Sequence, residues 1–145
     1  MADDPHYKEI ALLNRARMAE LWRRVREDPD SIAAQDQALA EQMLAHEEYH
    51  ALWDNIESLA ERFYDPEKEA NPFLHVSMHV AIESQLGSNT PPEARQAIDR
   101  MVERGVDPHE ARHTIMRLFI HEVAGMMAEQ RHFDMGAYRE ALRQL

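Results

Sequence analysis

The chain has no cysteine, and this one absence removes disulfides and thiolate metal sites together. A bound metal ion would have to sit on histidine, carboxylate, methionine or water. Glycine is scarce, with 4 in 145 residues, and long β-branched runs are missing, while Ala, Leu, Met, Glu, Gln and Arg abound. Straight-chain residues lose little rotamer freedom in a helix, so an all-α fold is expected, a compact bundle of about five to six helices with a histidine-rich core. The length and the 44% hydrophobic content suit one domain over residues 1–145.

Basic charge is also in short supply. Against 27 acidic residues stand 16 Lys and Arg, for a formal net charge of −11, and only Arg23, Arg24 and Arg26 cluster. Such a field repels phosphate backbones, so no nucleic-acid partner is expected. No apolar run approaches bilayer length, and the start, MADDPHYKEI, lacks a basic stretch followed by an apolar one. The expectation is a cytoplasmic protein with no membrane partner, for which a homo-oligomer is compatible.

Apolar spacing and helix punctuation organise the chain. A first helix is expected from about Asp4 to Glu27, on Ile10, Leu13, Met18, Leu21, Trp22 and Val25, stopped by Pro29. A second helical region starts at Ser31 as N-cap and runs through Ile32, Leu39, Met43, Leu44, Tyr49, Trp53, Ile56 and Leu59 to Phe63, with a break expected near Ala45 to Glu48. Residues Tyr64 to Ala70, with Pro66, read as a loop. Asn71 as N-cap and Pro72 at the first position open a third helix that Gly87, Ser88 and Asn89 close. Further helices are expected from Pro92 to Arg104, from Asp107 to Glu129 and from Asp134 to Leu145.

What is abundant is histidine. Nine are present, and six of them form H-x-x-x-H pairs: His46/His50, His75/His79 and His109/His113. Random placement would give roughly half a pair. Residues four apart on a helix lie about 40° apart around the axis, one turn above the other, so both imidazoles can reach one ion. On a helical projection His75 and His79 share a stripe with Ile82 and Leu86, and Glu83 lies at its margin. His109 and His113 group with Met116, Ile120 and Met127, with Glu110 and His121 on one flank; Glu122 falls opposite His113 and is rejected as a ligand.

A single histidine on an apolar face is more often a hydrogen-bonded core residue than a ligand. Three pairs directed to one interior are harder to explain that way, because crowded buried imidazoles need many partners and penalise one another's protonation. The expected ligand set is therefore His46, His50, His75, His79, His109, His113 and His121, with Glu83 as an oxygen donor. That set exceeds the four ligands of a single zinc, so a dinuclear centre in a bundle core is expected, or else one ion with further histidines behind its ligands. Iron leads the candidate ions, ahead of zinc and manganese, and haem held non-covalently by two histidines stays open. If the centre is redox-active, it would bind or activate dioxygen or peroxide as a non-haem metal oxidoreductase, with Tyr49 nearby for proton or electron transfer.

Three readings compete. His46–His50 and His109–His113 both match H-E-x-x-H, in which a Glu activates zinc-bound water, but a zinc hydrolase needs one such helix and a substrate-binding strand. A closed zinc-type site that stabilises the fold or stores the ion would need no enzyme chemistry. A metal-free helical interaction module is the third. Methionines such as Met78, Met116, Met126 and Met127 read as adaptable core filler.

The stretches HEEYHALW, from His46 to Trp53, and NPFLHVSMHVAIESQ, from Asn71 to Gln85, resemble an uncharacterised proteobacterial family. Its members carry H-P-E-Y-H-A-L-L and then N-P-F-L-H-x-x-L-H-x-A-I-x-x-Q. The likeness spans most of the chain and falls on His46, Glu48, Tyr49, His50, Asn71 to His75, His79, Gln85, His109 and His113. It implies no established activity. Glu47 stands where the family has proline, which weakens a water-activating role for it and supports the helix break. The family has its acid one residue after Glu83, which weakens Glu83 as a ligand, and an acid where His121 stands, which strengthens His121.

Overall fold

The computed structural model describes residues 5–65 and 68–145, with side chains described from residue 11. The expected helix start at Asp4, the side chain of Ile10 and Pro66 of the loop lie outside the described residues. Seven α-helices and four short 3-10 turns occur among the described residues, with no strand. The fold is all-α, one helix beyond the expected number. The helices are α1 (Pro5–Glu27), α2 (Gln37–Ala45), α3 (His50–Trp53), α4 (Pro72–Ser88), α5 (Pro92–Glu103), α6 (Pro108–Glu129) and α7 (Met135–Arg143). No helix among the described residues is long and apolar enough to cross a membrane.

Local chemistry explains the boundaries. The Asn71 side-chain oxygen accepts from the N–H groups of Phe73 and Leu74 at 3.0 and 3.2 Å, capping α4 as its residue type predicts. Asp107 does the same for α6 through His109 and Glu110, at 2.9 and 3.2 Å. Asp134 caps α7 through the N–H of Ala137. Gly105, after α5, has φ +90°, a left-handed conformation that glycine adopts without strain.

The segment 31–63 departs most from expectation. Ser31 does not cap a helix: it ends a 3-10 turn, Pro29–Ser31, and its hydroxyl bonds the carbonyl of Asp28 at 2.8 Å. A serine hydroxyl that returns to a nearby carbonyl offers the backbone a turn in place of a helix. Continuous helix begins only at Gln37, and it stops at His46, whose φ of −97° and ψ of 74° are not helical. The break is where it was expected. Beyond it come a 3-10 turn at Glu47–Tyr49, the single turn of α3, and another 3-10 turn at Ile56–Leu59. Leu44 and Phe63, expected on the apolar face, are exposed. Phe63 follows the breaks, which turn the later pieces out of the helical register, whereas Leu44 precedes them and lies on the solvent side of α2.

The chain divides into two compact units, Met1–Ser77 and Met78–Leu145, so the boundary falls inside α4. In the first, Met18, Leu21 and Trp22 of α1 pack with Met43, Trp53, Ile56, Tyr64, Phe73 and Val76. Arg15 is 4% exposed, donates to the carbonyls of Leu59, Ala60 and Arg62 at 2.6 to 3.0 Å, and lies 4.5 Å over the Phe73 ring. These carbonyls end the last 3-10 turn, and one cation collects them. Arg23 and Arg24, the heart of the short basic cluster, are paired with Glu20 and Glu27.

In the second unit, Ile82 and Leu86 of α4 pack with Ala94, Ala97, Ile98, Met101, Ala111, Ile115, Met116, Tyr138 and Leu142. The Tyr138 hydroxyl donates to the side-chain oxygen of Gln85 at 2.7 Å, which gives the Gln of the NPFLH motif a structural task. Burial pushes the Tyr138 phenol up to about 12. Ile120 and Met127, projected onto the His109/His113 stripe, are exposed. A 22-residue helix drifts past the core it faces, and its last turns leave the buried stripe.

Glu93, 5% exposed in the first turn of α5, accepts from Arg139 at 2.8 and 3.0 Å and from Arg143 at 2.9 Å. The Arg139 hydrogen bonds hold its carboxyl down at about 2, against an ordinary value of 4.5. Because the folded value is the lower one, this pairing stabilises the fold above the unfolded carboxylate range and is lost as pH falls from about 4.5 toward 2. Glu93→Gln is expected to melt below wild type at pH 7 and to converge on it toward pH 2. Thermal melts across that range test this, and a gap independent of pH would refute it.

Candidate metal centre

The structure brings histidines together in two groups, one in each unit. In the first unit His46 and His75 meet edge to face, with ring centroids 5.0 Å apart, and their ligand nitrogens lie within 4.8 Å of each other. In the second, His79 of α4 stacks on His109 of α6 at 4.7 Å, and His113 stands 5.0 Å from His79 and 4.3 Å from His109. The ligand nitrogens of these three also lie within 4.8 Å of one another. Donors about 2.1 Å from one ion sit at most about 4.2 Å apart, so a spread of up to 4.8 Å is slightly wider than a single coordination sphere. His75 and His79 are one turn apart on the uninterrupted helix α4.

Local structure places each ring. Pro72 at the first position and the Asn71 cap fix the start of α4, which sets His75 and His79 on its apolar face. The Asp107 cap and Pro108 do the same for α6, so that His109 and His113 come in its first two turns. His46 reaches the group because the chain breaks there and leaves the helical path.

The hydrogen bonds decide which nitrogen of two of these rings carries the proton. His46 Nδ1 is 2.7 Å from the carbonyl of Gln42, which can only accept, so Nδ1 carries a proton. His113 Nδ1 lies 3.3 Å from a carboxylate oxygen of Glu110, and its Nε2 lies 3.1 Å from Nε2 of His79. A carboxylate behind an imidazole fixes its tautomer and raises its basicity as a ligand. His46 and His79 are buried, at 2% and 1%, His75 and His113 are half-buried, and His109 is exposed at the rim.

Tyr49 adjoins the first group, with its ring 6.0 Å from His46 and 5.8 Å from His75. Burial, reinforced by the charge of Glu48, raises its phenol above the ordinary value. It stays protonated at neutral pH.

Three expected ligands lie outside these groups. His50 Nε2 bonds the carbonyl of Leu44 at 2.9 Å, and its ring packs 5.0 Å from Trp22. The break at His46 removes the helical spacing that would have set it beside its partner. Glu83 is ion-paired with Arg112. His121 is exposed on α6, two turns past His113, and belongs to neither group. Glu122, rejected on projection, is held by Arg131 and by the N–H of Asp134. A Cβ at Gly125 would meet the Arg131 guanidinium at 2.7 Å, so glycine there lets Arg131 lie against α6. Gln42 and Arg112 were missed: nothing in the sequence marks a backbone carbonyl as a histidine's partner, and i, i+3 or cross-helix pairing of an arginine is too common to single one out.

Of the two H-E-x-x-H matches, the first is not helical, and the second has its Glu110 behind His113. No curated protein and no solved structure matches the chain. A family model described as a domain of unknown function does, over residues 13–144, which takes in every histidine of both groups and both motifs. The chain belongs to that family, DUF1841.

Proposed function

We propose that this is a metal-binding protein in which His79, His109 and His113 of the second unit hold a transition-metal ion of iron type, with open coordination available to dioxygen or peroxide, while His46 and His75 form a donor pair in the first unit. The observation that supports it most is the close packing of three imidazoles, His79, His109 and His113, with ring centroids 4.3 to 5.0 Å apart and the Glu110 carboxylate behind His113. The two groups share α4, with His75 and His79 a single turn apart.

Glu83 and His50 are engaged elsewhere and His121 is exposed apart from the groups, so the second unit offers three nitrogen donors, His79, His109 and His113. Three imidazoles suit a single ion that keeps open positions better than two ions. Imidazole-only ligation fits iron, zinc, copper or nickel, and the loss of Glu83 as an oxygen donor lowers the case for manganese. The bound ion would polarise whatever occupies the open position. The protein's own part is to fix the rings through Gln42 and Glu110 and to bury His46 and His79 from water. Tyr49, protonated beside His75, would hold a proton within reach of that side.

The test is metal analysis of protein purified without chelator, followed by titration of apoprotein with iron(II), cobalt(II) and zinc(II). The expected result is saturation at about one ion per chain. Apoprotein that takes up none of the three would refute the reading.

A further inference from the structure

One turn beyond His79 on α4 stands Glu83, and next to His113 on α6 stands Arg112. The Arg112 Nε pairs with the Glu83 carboxylate, and Arg112 Nη1 donates to the carbonyl of Pro108 at 3.0 Å. The guanidinium is thus held from two sides, and it holds the carboxylate in turn. By helical spacing Glu83 follows His75 and His79 along the same side of α4, and an unrestrained carboxylate there would be the natural oxygen donor to an ion on His79. The other nearby acids are also committed, Glu110 to His113 and Glu122 to Arg131.

We infer, resting on the metal centre proposed above, that Arg112 is a positioning residue that withholds Glu83 and so keeps the open coordination position for a small anion. Imidazole ligands are neutral, so a divalent or trivalent ion held by them keeps its whole charge. An anion that enters the vacancy offsets that charge at contact distance, where the attraction is strongest. The chain's net charge of −11 acts against anions only from afar and is screened beyond about 8 Å at physiological ionic strength. The exposed ring of His109 marks the side from which the ligand enters. The ligand class is a small monoanion with a donor atom at its end, such as hydroperoxide, superoxide or azide.

The experiment uses full-length cobalt(II)-loaded protein titrated with sodium azide and followed by visible absorption, with metal content measured in parallel. Wild type is expected to show a saturable spectral change. Arg112→Gln frees Glu83 to take the position and is expected to weaken azide at least about tenfold with the metal retained. In Arg112→Gln/Glu83→Gln the competing carboxylate is gone, and azide binding is expected to return. Wild type that holds cobalt but gives no azide response would overturn this inference and leave the metal centre standing. Equal azide affinity in wild type and Arg112→Gln would overturn it too. Failure to bind cobalt would overturn the centre itself and the inference with it.

Discussion

Replacing His79 with alanine is expected to lower metal affinity by more than about 100-fold, since even outer partners of ligands cost 10- to 100-fold when removed. His79 is 1% exposed and contacts both His109 and His113, so its loss opens the group it belongs to. The consequence for stability follows from linkage. Metal present at about 100 times its dissociation constant stabilises the native state by about 2.7 kcal/mol, and in His79→Ala that increment disappears. Paired melts with and without metal separate this from the packing cost of the substitution, which both melts share. His50→Ala and His121→Ala serve as controls and should keep the wild-type increment, because His50 is spent on Leu44 and His121 is exposed. A full metal-induced shift in His79→Ala would remove the residue from the ligand set.

The second large effect is expected at Trp53. Its ring is 2% exposed and lies 5.6 Å from Tyr49 and 5.5 Å from Phe73. Trp53→Ala should cost about 3–5 kcal/mol in urea unfolding, because the void cannot collapse against ring systems that themselves pack on one another. Trp53→Phe should cost well under that. The indole N–H is buried with no acceptor among the described residues, so removing it sacrifices no hydrogen bond. Trp53 also supports Tyr49, whose ring faces His46 and His75, so the alanine variant should bind metal more weakly as well. A loss below about 1 kcal/mol would show that the site relaxes around the cavity.

Where element boundaries rest on local chemistry, they were legible in advance. Asn71-Pro72 and Asp107-Pro108 cap their helices through the side-chain oxygens that their residue types predict, and Gly105 stops α5. Ser31 looked equally like a cap but ends a 3-10 turn, where its hydroxyl donates to the carbonyl of Asp28, one of the local bonds by which serine favours turns over helix. The same competition between local partners makes residues 31–63 a series of short pieces where the apolar spacing suggests a long helix.

The candidate site divides along the same line. Helical periodicity alone put His75 with His79 and His109 with His113, since rings four residues apart on a helix must neighbour one another. Periodicity could not tell that His50 would turn to Leu44, that Arg112 would claim Glu83, or that Gln42 and Glu110 would fix the tautomers of His46 and His113. By itself the sequence determined an all-α fold, its principal helix ends and a surplus of paired histidines, because these depend on residues within a turn or two of each other. Only the tertiary structure decided which of the paired histidines come together and which turn to other partners, because each choice is a contest between groups that the sequence pattern does not rank, settled by which one the packing brings within hydrogen-bond reach.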